Sequence, residues 1–169
     1  MSVLNQIRNR VEIVRVGLQS DLVRNVLMKH ENDILDLQKL QLLQGKASSG
    51  DDLRPYYSED LKSRGGYFKS AETAGRYSAW KEGLSYPYSV QRNPDAPNLY
   101  INGKFHSELG VQYNPESVAV VGETSYANQI IEKYGMGSFG LMRAYWDVVF
   151  REKGALGELI TEIRRILIR

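Results

Sequence analysis

Apolar residues recur at helical spacing near both ends of the chain and at strand spacing only in between. Leu4, Ile7, Val11, Val14 and Leu18 fall three and four apart, which sets them on one helical face. Arg8, Arg10, Glu12 and Arg15 fall mostly elsewhere, and Gly17 weakens the end of this predicted helix. Ser20 and Asp21 read as the cap and first-turn acid of a second helix running to about Gln44. Its apolar positions include Leu22, Val26, Ile34, Leu37 and Leu40, and Gly45 is its stop. Both apolar stripes must be buried, against this chain or a neighbouring subunit.

Across residues 45–69 the periodicity disappears. The 45–52 stretch is a loop by composition, and Arg54-Pro55-Tyr56-Tyr57 continues in an extended style. Ser70 caps a short predicted helix over 71–83 that turns Tyr77 and Trp80 to one side. Residues 85–98 are again irregular and hold Pro87, Pro94 and Pro97. Irregular segments of this length are more often functional arms than connections. Seven of the 11 tyrosines lie between Tyr56 and Tyr100, and tyrosine offers contact area with a polar tip, which suits interfaces.

The strand signal follows. Asn102-Gly103 marks a turn, after which Phe105, Ser107, Leu109, Val111 and Tyr113 alternate with His106, Glu108 and Gln112. Residues 114–117 make a four-residue turn, and 118–121 return as the second strand of a hairpin. Ser125 opens a short helix through Ile130, Ile131 and Tyr134, closed by Gly135. Two helices over 141–153 and 156–169 finish the chain, the last with Leu159, Ile163, Ile166 and Leu167 as its stripe. The pattern predicts a single α+β domain: a helical part at 1–44, extended Tyr-rich arms with one short helix at 45–98, and sheet plus helices at 99–169. The small antiparallel sheet is expected around 99–121, packed by the helices.

Length and composition agree with one globular domain, at 169 residues with 42% hydrophobic and 25% charged positions. A net charge of +2 demands neither nucleic acid nor membrane. The absence of cysteine removes disulfides, thiolate metal sites and cysteine nucleophiles together. No signal-peptide core or bilayer-length apolar run is visible, so the expected origin is cytoplasmic, without a membrane partner.

Candidate chemistry is sparse. His30, among charged neighbours, reads as a solvated residue, and His106 with Glu108 as one polar strand face. With no second histidine near either, a metal site is not supported. The pairs Asp51-Asp52 and Glu59-Asp60 lie in loop composition and read as solvated charge, not as general acids and bases. The 135–140 glycines lack the Lys-Ser/Thr of a phosphate loop and read as helix stop and turn. No catalytic residue, cofactor or metal is therefore expected.

One segment carries a competing signal. Lys62, Arg64, Lys69, Arg76 and Lys81 against Glu72 alone give residues 62–81 a charge of 5 − 1 = +4. Tyr67, Phe68, Tyr77 and Trp80 are interleaved, the combination that holds single-stranded nucleic acid. The other reading makes the rings core or interface, rimmed by the cations, and the near-neutral total favours it.

Several short motifs resemble the tail-completion, or head–tail joining, family of neck and connector proteins from tailed phages of Bacteroidetes-type bacteria. Leu40-Gln41-Leu42-Leu43-Gln44-Gly45-Lys46 leading into Arg54-Pro55-Tyr56-Tyr57-Ser58 is similar to its "Leu-Tyr-Gly…Pro-Tyr-Ser" stretch. Asn102-Gly103-Lys104-Phe105-His106-Ser107 resembles a "Thr-Gly-x-(Phe/Leu)-x-Ser" strand entry, with Asn102 in place of threonine. Tyr126-Ala127, Tyr134-Gly135 and Phe139-Gly140-Leu141 resemble its "Tyr-Ala…(Phe/Tyr)-Gly" segment. The resemblance implies a structural virion protein, made in the host cytoplasm. It would form a ring of six or twelve copies in the neck, touching portal, adjacent neck-ring and tail proteins, with double-stranded DNA passing through without sequence-specific contact. Tyr56, Tyr57, Tyr67, Phe68 and Trp80 are the expected protein contacts.

Overall fold

The computed structural model describes residues 11–12, 21–63, 68–87, 89–90, 93–114, 117–122 and 127–168. Most of the predicted N-terminal helix lies outside them, as do the Ser20 cap, Arg64, Tyr67, the 115–116 turn, Ser125 and Tyr126.

The predicted long second helix is two helices, α1 (Asp21–Lys29) and α2 (Glu31–Leu43), broken at His30. The His30 N–H bonds to the Leu27 carbonyl at 3.0 Å, a tight last turn. Its ring is 7% exposed, not solvated as expected. Nδ1 lies 3.3 Å from Asp33, and Nε2 lies 3.2 Å from Glu158, out of line for a hydrogen bond. Because apolar spacing continues across the break, periodicity could not reveal it.

Helix α2 ends where Gly45 predicts. Lys46 N–H bonds to the Gln41 carbonyl and Gly45 N–H to that of Leu42, the paired bonds of a Schellman cap, with Gly45 at φ +71°. A Cβ there would lie 2.8 Å from the Ala96 Cβ. The chain then doubles back: Leu53 N–H bonds to the Gly45 carbonyl at 2.7 Å, Lys46 pairs with Asp52 at 2.7 Å, and Leu53 enters the core at 2% exposure.

The irregular segments at 45–98 are therefore tied down at both ends, for Ala96, Pro97 and Asn98 are also buried. Between them stand a helical turn, α3 (Glu59–Ser63), which composition gave as loop, and α4 (Ala71–Glu82). The Ser70 side chain caps α4 by accepting the Thr73 N–H at 3.3 Å.

The expected strand at 105–107 is instead a single helical turn, α5 (Lys104–Ser107). Asn102 Oδ1 accepts the Lys104 N–H at 3.1 Å, and Gly103 sits at φ +81°. This local turn outcompetes the alternation. The hairpin is β1 (Leu109–Asn114) against β2 (Ser117–Gly122), antiparallel, with Val111 opposite Val120 and Tyr113 opposite Val118. Leu109, Val111, Tyr113, Val118 and Val120 face a core shared with Val26, Leu27, Ile34, Leu42, Leu53, Phe105, Leu141 and Val149. Gly122 is required there, because a Cβ would meet Phe139 at 3.0 Å, Ala127 at 3.1 Å and Phe105 at 3.2 Å.

Helix α6 (Ala127–Tyr134) closes at Gly135 (φ +86°), and a 3-10 turn follows at Met136–Ser138. Helix α7 (Arg143–Asp147) continues as a π-helical turn over Val148–Glu152. Helix α8 (Ala155–Ile168) packs along α1. Among the described residues no helix is long and apolar enough to cross a membrane. The architecture is α+β, with one antiparallel hairpin among helices.

Candidate interaction surface

Helix α4 places Tyr77 and Trp80 three residues apart, hence on one side, with ring centroids 5.5 Å apart. Tyr77 is the hub. Phe68 lies 5.0 Å from it, and Tyr56 meets it edge-on at 5.2 Å and Phe68 at 6.0 Å. Such pairs contribute about 0.5–1.5 kcal/mol each beyond area burial. The row ends at Trp80, which is 51% exposed although it is braced from behind. Three of the five expected contact residues thus converge. Tyr57 does not join them: its hydroxyl donates to Glu59, and that bond raises its pKa above the ordinary range. The sequence reading missed that Tyr77 organises the cluster; its spacing to Trp80 was the available signal.

Beside the row runs a groove of about 260 Å³, walled by Pro55, Tyr56 and Tyr57 and floored by the small residues of α4, Ala71, Ala74, Gly75 and Ser78. Ser78 Oγ donates to the Pro94 carbonyl at 2.6 Å, fixing α4 to the second irregular segment. Tyr134 of α6 is pushed up to about 12 by burial, with the nearby Tyr77 phenol adding to it.

Among the described residues, Lys81 does not share a surface with the other basic side chains. Lys62 lies 3.8 Å from Glu59, Arg76 pairs with Glu72 at 2.7 Å, and Lys69 is exposed. Lys81 is a correction to the sequence reading: at 2% exposure it points inward, where Nζ donates to Asn98 Oδ1 and stands 6.0 Å from the centre of the Tyr77 ring. A phosphate cannot reach it while α4 is packed.

Around that lysine lies a buried polar cluster. Asn98 Oδ1 also accepts the Tyr100 N–H at 3.2 Å, and Tyr86 donates its hydroxyl to the Lys81 carbonyl. His106, expected on a polar strand face with Glu108, is 5% exposed in α5, with Nε2 3.3 Å from the Asn98 carbonyl and the Tyr100 ring edge-on at 5.3 Å. Burial pushes its pKa down to about 4, with Lys81 and Lys39 adding to it against the opposing Asn98 bond. The imidazole is therefore neutral at neutral pH, and the cluster fastens 98–106 to α4. No group of three His, Asp or Glu side chains able to hold a metal ion occurs among the described residues.

Compared with protein-family models, curated proteins and solved structures, the chain matches none of them.

Proposed function

We propose that this chain is a structural virion subunit: one copy in a ring of six or twelve in a phage neck, between portal and tail, turning over no substrate. The observation that carries the reading is Trp80, half-exposed at the end of an aromatic row whose Tyr77 ring lies against it. A braced tryptophan offers a large contact area with little ordering entropy left to lose, which is what interface anchors need. The neck assignment draws on the motif resemblance. Its support is that two of the resembling segments meet, since Gln41 of the 40–46 motif bonds to the Gly140 carbonyl of the 139–141 motif at 3.0 Å. Head-to-tail contacts between identical subunits close into rings when their rotation allows. A near-neutral subunit also suits a conduit, because a strongly basic lining would grip the DNA passing through.

Native mass spectrometry of the full chain across a concentration series tests this. A closed species of six or twelve copies is the expected result. A monomer at every concentration, together with salt-sensitive binding to single-stranded nucleic acid, would overturn it in favour of a nucleic-acid-binding role for residues 62–81.

A further inference from the structure

Three polar side chains of the groove beside α4 have no hydrogen left to donate into it. Ser78, buried at its floor, commits its hydroxyl hydrogen to the Pro94 carbonyl at 2.6 Å, so its oxygen has only lone pairs to offer. The Tyr57 hydroxyl likewise spends its hydrogen on Glu59. Asp95, the charged residue among the described walls, is exposed and carries a carboxylate, an acceptor only. Its backbone N–H bonds to Asn93 Oδ1 at 3.0 Å, but among the described residues no donor or cation is bonded to the carboxylate. The remaining walls are the rings of Tyr56 and Tyr57, with Pro55, over a floor of small residues; nothing lies within 4 Å of where a Cβ on Gly75 would stand. Glu72 in the first turn already answers the positive end of α4. At about 260 Å³ the groove falls below the ~300 Å³ at which pockets for whole small molecules begin, and it suits one long side chain.

We propose that this groove takes an arginine side chain presented by a partner protein. A guanidinium carries five donors and no acceptor, the complement of polar side chains that can only accept. Its planar face stacks on tyrosine rings, and its fork of donors matches the Asp95 carboxylate with two parallel bonds. The aliphatic stem fits the floor, where Ala74 and Gly75 leave room for it. A phosphate would meet the Asp95 carboxylate instead, and no basic side chain is among the described walls to offset that repulsion. The site is thus opposite in sign to one for nucleic acid, and it holds whether or not copies of this chain form a ring.

Saturation-transfer NMR observes the ligand, so the full chain can be tested in whatever assembly state it adopts. The probe is Nα-acetyl-arginine amide, and its control is Nα-acetyl-citrulline amide, which keeps the shape and loses the charge. The arginine probe is expected to bind about tenfold more tightly than the control, the scale of one hydrogen bond to a charged group. Asp95→Asn should remove that difference, and Gly75→Leu, which puts a side chain into the groove, should abolish binding of both. Circular dichroism first shows each variant to be folded, and Ala71→Leu, also on the groove floor, replaces Gly75→Leu if the latter fails that check. Equal binding of the two probes, arginine binding that survives the substitutions, or no binding at all would overturn the proposal. Nα-acetyl-lysine amide binding as tightly as the arginine probe would overturn the choice of a guanidinium.

Discussion

The carboxamide of Gln41 pairs with the backbone on either side of Leu141, as one strand of a sheet pairs with another. Gln41 Oε1 accepts the Met142 N–H at 2.7 Å while its Nε2 donates to the Gly140 carbonyl at 3.0 Å, and the side chain is wholly buried. Gln38 donates to the Ser138 carbonyl at 3.3 Å, and Gln44 accepts the Tyr145 hydroxyl at 2.8 Å. Gln38 and Gln41, on one face of α2, thus satisfy a loop that has no strand to pair with, which a buried backbone requires, and Gln44 at the helix cap ties α2 to a side chain of α7.

Gln41→Leu keeps the volume and removes both bonds, leaving a buried donor and acceptor without partners. The expected loss is about 2–4 kcal/mol, read from denaturant midpoints. A loss below about 1 kcal/mol would show that the 138–142 loop is held by other contacts.

The glycines separate by conformation and space. Gly45→Ala meets both a left-handed backbone and the Ala96 Cβ, so a loss of about 2–4 kcal/mol is expected. Gly75→Ala, mid-helix with nothing within 4 Å of its Cβ, should stabilise by about 0.5–1 kcal/mol. Thermal unfolding of the two variants should move in opposite directions.

Acid should weaken the fold through His106. In the unfolded chain the ring takes its proton near 6.5, and in the folded chain only near 4. Between those values the unfolded state binds more protons, so this stability is complete above about pH 6.5 and is lost as pH falls toward 4. The gap corresponds to about 3 kcal/mol. His106→Gln should remove that part of the pH dependence, and identical pH profiles for the two proteins would count against it.

The aromatic row divides into brace and contact. Trp80→Ala should leave the unfolding midpoint nearly unchanged and weaken self-association at least tenfold, read by concentration-dependent native mass spectrometry. Tyr77→Ala, which removes the hub, should cost about 2–4 kcal/mol of fold stability. If Trp80→Ala destabilises the monomer as strongly as Tyr77→Ala, Trp80 belongs to the core.

What the sequence determined by itself was what neighbours in the chain decide. The hairpin at 109–122 follows from alternation, the start of α4 from the Ser70 cap, and the ends of α2 and α6 from Gly45 and Gly135. Each of these signals lies within a few residues of the feature it sets. The tertiary structure alone decided the break at His30, whose ring lies between Asp33 and Glu158, and the inward turn of Lys81 toward Asn98. It also decided that Gln38 and Gln41 are core residues, because their partners lie about 100 residues along the chain. Polar side chains in a helix read as solvated until a distant backbone supplies the hydrogen bonds that make burying them tolerable, and those partners leave no mark in the local pattern.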